Sequence, residues 1–437
     1  MAHSRRRNHA AAEAPLAVHG DISDTLSIDL MVIVVGGGPA GSSTAFFLAR
    51  AGIDVTLLDR AHFPRDKTCS EYLSPQASRI LEEMNALDAV EGSGAAQLTG
   101  MRVHAPNGAT IHGEFAANHG FRGYRDRGLA IRRTILDSIL LDRAREAGAR
   151  VREGVRVTDV IRGPDGSVSG VTTIDSHGNA SDHRSNLVVG ADGLRSIIGR
   201  RLGLIRPSRW PKRIALVAHY SGVEHSRELG EMYVDRGGYC GVASVGNGLT
   251  NVAVVVPVSR APEVAIDRTE FLESWIAERP ALAERFAKAE RVTPVRATGP
   301  FASSAKRPWV RGAALVGDAA DFFDPFTGEG IYTALRGGEM LSGLVADSIK
   351  SNRPTESALV EYERARRSEF SGKWLVEKLV GAAVAAPPLI NRAANVLSRR
   401  RDMADLLVGV VGDFVPAREV LRPGYVLRLM FSRPARA

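Results

Sequence analysis

The chain has 437 residues, too many for one simple hydrophobic core, so more than one domain is expected. It is 44% hydrophobic and 24% charged, the proportions of a globular protein, and no apolar run reaches bilayer-spanning length. The formal net charge of +8 suits an anionic cofactor or an anionic lipid surface. Nucleic acid is excluded as a partner because zinc-knuckle spacing, an RNA-binding aromatic signature and a long lysine run are all missing.

Residues 1–28, with Arg5, Arg6 and Arg7, show no periodicity and no apolar h-region, so they read as a disordered tail rather than a secretory signal. Met31 to Val35 is a continuous β-branched run, as in a parallel strand covered on both faces. Gly36, Gly38 and Gly41 follow at G-x-G-x-x-G spacing, with Pro39 and Ala40 opening a helix that ends near Gly52. Val55 to Leu58 is the next strand. Asp59 ends it, about 20 residues past the glycines, where an acid accepts hydrogen bonds from a ribose; Arg60 adjoins it.

A loop from Phe63 to Cys69 leads to a helix expected over Ser74 to Leu87. Met101 to Gly113 reads as a strand pair around the turn dipeptide Asn107-Gly108. A helix is expected over Leu129 to Ala147, with Ile135, Ile139 and Leu140 at helical spacing. Strands follow near Val151–Val160, Val168–Thr173 and Leu187–Ala191, the last running into Asp192-Gly193. Residues 215–258 then alternate like an antiparallel sheet, with a helix expected over Thr269 to Ala289. Ala313 to Val316 is a short buried strand ending at Gly317-Asp318. A loop with Pro325 leads to a helix from about Glu329 to Lys350. From about 355 the chain is helical and basic. Cys69 and Cys240 are the only cysteines, so there is no disulfide framework, and no metal-ligand pair of histidines falls on a helix; a reducing cytoplasm and no metal are expected.

Three motifs now stand in order: Gly36 to Gly41, Val188-Val-Gly-Ala-Asp-Gly-Leu-Arg at 188–195, and Leu315-Val-Gly-Asp-Ala-Ala-Asp-Phe-Phe-Asp-Pro-Phe-Thr-Gly-Glu-Gly-Ile at 315–331. Arg133-x-x-Leu136-Asp137 falls between the first two. Together they resemble the flavoprotein class of p-hydroxybenzoate hydroxylase, squalene epoxidase, flavin halogenases and geranylgeranyl reductases. The resemblance implies an α/β fold: a Rossmann-like FAD-binding domain with an inserted antiparallel substrate sheet and a helical C-terminal region. It divides the chain into FAD-binding segments 29–100, 129–205 and 301–350, substrate-binding segments 101–128 and 206–300, and helices over 351–437. It also implies that Arg133 serves the pyrophosphate, Asp192 the loop facing FAD, and Asp318 the ribityl chain. Pro325, Gly328, Glu329, Gly330 and Ile331 then lead into a helix whose N-terminus stabilises charge on the reduced flavin.

Two departures separate this chain from aromatic hydroxylases and halogenases. Asp321 stands where many members carry histidine, and the loop Phe63 to Cys69 resembles the Lys-x-Cys-Gly loop of the reductase branch, although Ser70 replaces its glycine. The aromatic signature of that branch is missing over Gly238 to Ala243. The four tryptophans, at 210, 275, 309 and 374, are isolated, which argues against halogenation. Three functions follow. The first is a monooxygenase, hydroxylase or epoxidase, acting through a flavin C4a-hydroperoxide on an apolar polyketide or isoprenoid. The second is a geranylgeranyl-reductase-like enzyme in which Cys69 donates a proton; its alternative is a small buried thiol. The third is an electron-carrying flavoprotein at a membrane, held by the basic C-terminal region. The missing aromatic signature favours the monooxygenase. Tyr239, Phe322, Phe323 and Phe326 are the candidate substrate contacts. With one dinucleotide fingerprint in the chain, NAD(P)H is expected as a visiting reductant, or an external partner supplies the electrons.

Overall fold

A computed structural model describes residues 30–207, 212–224 and 228–431. The expected tail and Trp210 lie outside these. The strand Met31–Val35 is flanked by Leu187–Gly190 and Asp54–Leu58, both parallel to it. Ala313–Leu315 and Arg150–Arg152 extend the sheet in parallel, and Trp309–Val310 closes one edge antiparallel. The helix Pro39–Arg50 packs on one face, between helices Arg133–Glu146 and Gly330–Lys350. The approach to Gly330–Lys350 is close: a Cβ on Gly338 would lie 2.2 Å from Ser43 Oγ. On the other face, Ile33, Val35 and Leu58 pack against Val157, Val168 and Val171. Those residues belong to an antiparallel sheet of Arg156–Arg162, Val168–Ile174 and Ala180–Arg184. Burial on both faces is why the central strands are apolar throughout rather than alternating.

A second sheet carries Arg213–Ser221, Leu249–Pro257, Gly238–Gly246 and Leu229–Asp235 as antiparallel neighbours. Gly100–His104 then joins parallel to Leu229–Asp235, and Thr110–Glu114 pairs with it across the Asn107-Gly108 turn. The period of two divides the residues cleanly. Leu216, Ala218 and Tyr220, with Val252, Val254 and Val256, pack under helices Arg268–Ala277 and Pro280–Phe286. Ala215, Val217, Asn251, Ala253 and Val255 face the other way, onto a cavity. Helices Thr355–Ala385, Pro387–Leu397, Arg401–Val411 and Pro423–Phe431 close its remaining side.

Three expected helices have other bounds. The one over 129–147 begins only at Arg133, because Arg132 is extended (φ −57°, ψ 138°) and Gly128–Ala130 is a strand. Its buried apolar positions are Leu136, Leu140, Leu141 and Ala144; Ile135 and Ile139 are only partly covered. The one over 74–87 is two helices, Ala77–Glu83 and Leu87–Gly92, parted by Asn85 at φ +53°. The one over 269–289 breaks before Pro280, which forces Arg279 out of the helical region.

Candidate functional site

Two glycines of the turn leave no room for a side chain. A Cβ on Gly36 would stand 2.6 Å from the Ala191 carbonyl oxygen, and one on Gly41 would stand 1.7 Å from that of Gly36. The helix that follows has Pro39 in its first turn, no side-chain cap and no acid in that turn. Its leading N–H groups therefore point outward as donors for an anion. Asp59 is buried beside them. Its Oδ2 accepts the Gly37 N–H at 2.6 Å and its Oδ1 the Ala61 N–H at 2.8 Å, leaving further lone pairs for hydroxyl donors. Arg60 is exposed and is not on the cavity wall.

Two guanidinium groups converge on Gly38. A Cβ there would lie 3.4 Å from Arg65 Nη2 and 3.6 Å from Arg133 Nη2. Arg133 is buried and donates Nε and Nη2 to the two oxygens of Asp137, each at 2.7 Å. Arg65 pairs with the same carboxylate at 3.0 Å. Burial opposes the Arg133 charge, but Asp137 and the Cys69 sulfur outweigh it, and the guanidinium is held more firmly protonated than usual. Two cations share one carboxylate, so a net positive charge remains beside the helix N-terminus, where a pyrophosphate is complementary.

Across this turn, a Cβ on Gly317 (φ +62°) would stand 2.9 Å from the Ala40 Cβ, which brings Asp318 beside the first glycine motif. Asp318 is partly exposed and lies 3.7 Å from Lys67 Nζ. Asp192 is partly buried: its Oδ2 accepts the Ile197 N–H at 2.6 Å, while its Oδ1 has no partner. Burial pushes its carboxyl above the ordinary value, against the hydrogen bonds it accepts. Pro325–Thr327 forms a short turn, Gly328 takes φ +72°, and the helix Gly330–Lys350 begins without a side-chain cap. Ile331 is buried in its first turn. The turn is braced by Asp324, which accepts the Phe326 N–H at 3.0 Å and the Tyr239 hydroxyl at 2.7 Å, and pairs with Arg213.

Between these elements lies a cavity of about 580 Å³. Gly38, Lys67, Cys69, Arg133, Asp318 and Gly328–Ile331 line one side; Tyr239, Phe322, Phe323 and Phe326 line the apolar side. Gly38 to Ala40, Arg133, Asp318, Pro325 and Gly328 to Ile331 thus line one chamber with the four aromatic residues, whereas Gly36, Gly41, Asp59, Arg60, Asp192 and Gly317 are not on its wall. Cys69 is half-buried on its wall. Cys240 faces away, into the core under the helices, where burial pushes its thiol up to about 12.

Several residues here escaped the sequence reading. Arg65 and Lys67 belong to the quoted loop, and their charge beside an expected dinucleotide was a usable signal. Arg213, His219, Asn251 and Lys373 had none, because their partners are remote in sequence. Glu71, buried at φ +62°, accepts the Arg133 N–H at 2.8 Å and Asn251 Nδ2 at 3.0 Å, and faces His219 Nε2 at 2.7 Å. Asn251 Nδ2 also donates to the Cys69 carbonyl at 2.9 Å. Lys373 pairs with Asp413 and lies 3.9 Å from Glu329. Burial raises the Glu329 carboxyl to about 7, with Lys373 opposing. Among the described residues no cluster of His, Cys, Asp and Glu could hold a metal ion.

A family model for the FAD binding domain matches residues 29–372. The chain is 29% identical over 391 residues to digeranylgeranylglycerophospholipid reductase 2 of Methanopyrus kandleri, covering 88% of this chain and 93% of that one. It is 31% identical over 353 residues to digeranylgeranylglycerophospholipid reductase 1 of Methanococcoides burtonii, covering 78% and 80%. Among solved structures it superposes on a myxobacterial FAD-dependent chondrochloren halogenase with a TM-score of 0.75 at 25% identity, covering 81% and 83%. The residues present fit FAD: side-chain-free glycines, surplus guanidinium charge and uncapped helix N–H groups suit its pyrophosphate.

Proposed function

Because the chain belongs to the FAD-binding-domain family, whose model matches residues 29–372, it is an FAD-dependent oxidoreductase, and we propose that it reduces carbon–carbon double bonds in a long apolar chain of isoprenoid type. The observation that carries this reading is the place of Cys69. Cys69 lines the chamber that joins the dinucleotide side to the apolar side. The names of the two archaeal reductases support the same chemistry.

The chain's own residues divide the work. Arg65, Arg133 and the helix N-terminus at Pro39 would hold the pyrophosphate, while Asp59 and Asp318 would accept from sugar hydroxyls. The uncapped start of Gly330–Lys350 would stabilise negative charge on the cofactor ring. Bound FAD, once reduced, supplies an electron pair and one proton. The Cys69 thiol gives the second proton to the other alkene carbon, so the double bond becomes two C–H bonds. The Arg133 guanidinium interacts with the sulfur that would lose this proton. Phe322, Phe326 and the strand residues Ala215, Val217 and Val255 exclude water and align the apolar chain. NAD(P)H entering the same cavity, or a partner protein, is the electron source in this reading.

Oxygenation of an apolar substrate is the second reading, favoured by the lack of tryptophan in the strand Gly238–Gly246, where the reductase branch has its aromatic signature. One experiment separates the two. The reduced protein is mixed anaerobically with a polyprenyl alkene and the return of yellow flavin absorbance is followed. Reoxidation by the alkene, with a saturated product, supports reduction. Reoxidation only by oxygen, with an oxygen atom found in the product, overturns it. Cys69→Ser should slow the alkene-driven step by about 100-fold or more while flavin reduction persists, as expected for loss of a general acid.

A further inference from the structure

The cavity has a second end. Leu379, Leu389, Val426 and Met430 line it, and the same four side chains are exposed to solvent. They come from three different helices, Thr355–Ala385, Pro387–Leu397 and Pro423–Phe431. Arg392 Nε donates to the Met430 carbonyl at 3.1 Å, which ties the last two helices together. Beside this opening, Leu427 is 56% exposed and Phe431 74%. An apolar rim of this size around a cavity mouth is unusual for a surface that meets only water.

Two of the helices at the rim, Pro387–Leu397 and Pro423–Phe431, carry basic side chains and no acid. The segments 385–401 and 421–431 contain no Asp or Glu, yet they contain six arginines. Arg428 is exposed between Leu427 and the partly covered Leu429. Arg422 and Arg400 are exposed or partly exposed at the edges, paired with Glu419 and Asp402 from neighbouring turns. Lys378 adds a further cation, beside Leu379 and over the Phe323 ring. The two short helices Pro387–Leu397 and Pro423–Phe431, with an apolar face, arginines and no acid, match the chemistry of an anionic lipid interface. Among the described residues no helix is long and apolar enough to cross a membrane, so such a contact would be peripheral.

We infer that this face docks on an anionic lipid bilayer and that the cavity receives its apolar substrate directly from that bilayer. Leu427 and Phe431 would enter the acyl boundary, Arg428 and Lys378 would meet lipid phosphates, and the mouth between Leu379, Leu389, Val426 and Met430 would open into the hydrocarbon. An apolar substrate then moves from lipid into the chamber without crossing water.

The test uses the flavin-loaded full-length chain and does not depend on turnover, so it stands or falls separately from alkene reduction. The protein is floated with vesicles of phosphatidylcholine alone and with vesicles containing phosphatidylglycerol, at low and high salt. Light scattering without vesicles reports self-association. The expected result is binding to the anionic vesicles that falls with salt. The double variant Leu427→Glu, Phe431→Glu lies outside the cavity wall. It should reduce bound protein at least tenfold with flavin content unchanged. Arg428→Gln should weaken binding by about fivefold. Equal or no binding to the two vesicle types overturns the proposal. So does a dimer that the double variant dissolves in the absence of any vesicle binding, because a second copy of the chain then covers this face.

Discussion

Glu71 Oε2 and His219 Nε2 lie 2.7 Å apart, both buried, although 148 positions separate them in the chain. The other side of the imidazole faces Thr293 Oγ1 at 3.2 Å. Every partner of the Glu71 carboxylate otherwise is a donor, so Nε2 is assigned as the donor here. Through this carboxylate the Cys69 loop, the start of the helix Arg133–Glu146 and two strands of the second sheet are joined at one point. The Glu71 N–H also reaches Cys69 Sγ at 3.3 Å.

Glu71→Ala should therefore cost about 3 kcal/mol or more in urea unfolding, because it leaves buried donors without an acceptor. Glu71→Gln keeps an acceptor at the site and should cost about 1 kcal/mol. If Glu71→Ala unfolds like the parent, the junction contributes nothing to the fold.

Asp318→Ala should weaken FAD binding by about 10- to 100-fold, the worth of a hydrogen bond to a charged acceptor. Flavin retained on purification and flavin affinity measured by titration check this. Stoichiometric retention by the variant would remove Asp318 from the cofactor site.

Stability should depend on pH through Glu329. Its buried carboxyl titrates at about 7 in the folded chain, with burial as the main cause and Lys373 opposing. In the unfolded chain it titrates near an ordinary value of about 4.3. Between those values the folded state holds the extra proton, so stability is fullest below the window and declines as pH rises through it. The contribution is on the order of 3 kcal/mol. Glu377 is pushed up by burial and by Glu329, and acts with the same sign. Glu329→Gln should therefore flatten the decline in part. Urea midpoints of parent and variant, measured from pH 5 to about 8, report it; parallel curves would contradict it.

Gly41 and Gly52 separate two uses of glycine. A Cβ on Gly41 would collide with the Gly36 carbonyl oxygen at 1.7 Å, so Gly41→Ala must move the cofactor turn. It should lose FAD and about 3 kcal/mol of stability. Gly52 has φ +83° and nothing within 4 Å, so Gly52→Ala should cost only about 1 kcal/mol and keep FAD. Thermal unfolding with flavin content distinguishes the pair; equal losses would refute the steric account of Gly41.

The dinucleotide cradle was legible in the sequence because its chemistry is local. A strand, a glycine turn, a helix N-terminus and a strand-end acid must follow one another within about 30 residues, so Gly36 to Asp59 declares itself. The same holds for Gly317-Asp318 and for Gly328 to Ile331, where turn and helix start are contiguous. Helix boundaries were less legible where one backbone angle decides them, as at Asn85 and Arg132. The junction of Glu71 with His219 and the brace of Asp324 by Arg213 and Tyr239 were not legible at all. Each joins strands and loops far apart in sequence, and a lone buried His or Asp carries no pattern of its own. The C-terminal helices show the same limit in another form. Their apolar and basic residues would read alike on a plain helical cap. Only packing decides that Leu379, Leu389, Val426 and Met430 stand both on the cavity wall and at the surface, because that depends on which faces of three helices converge.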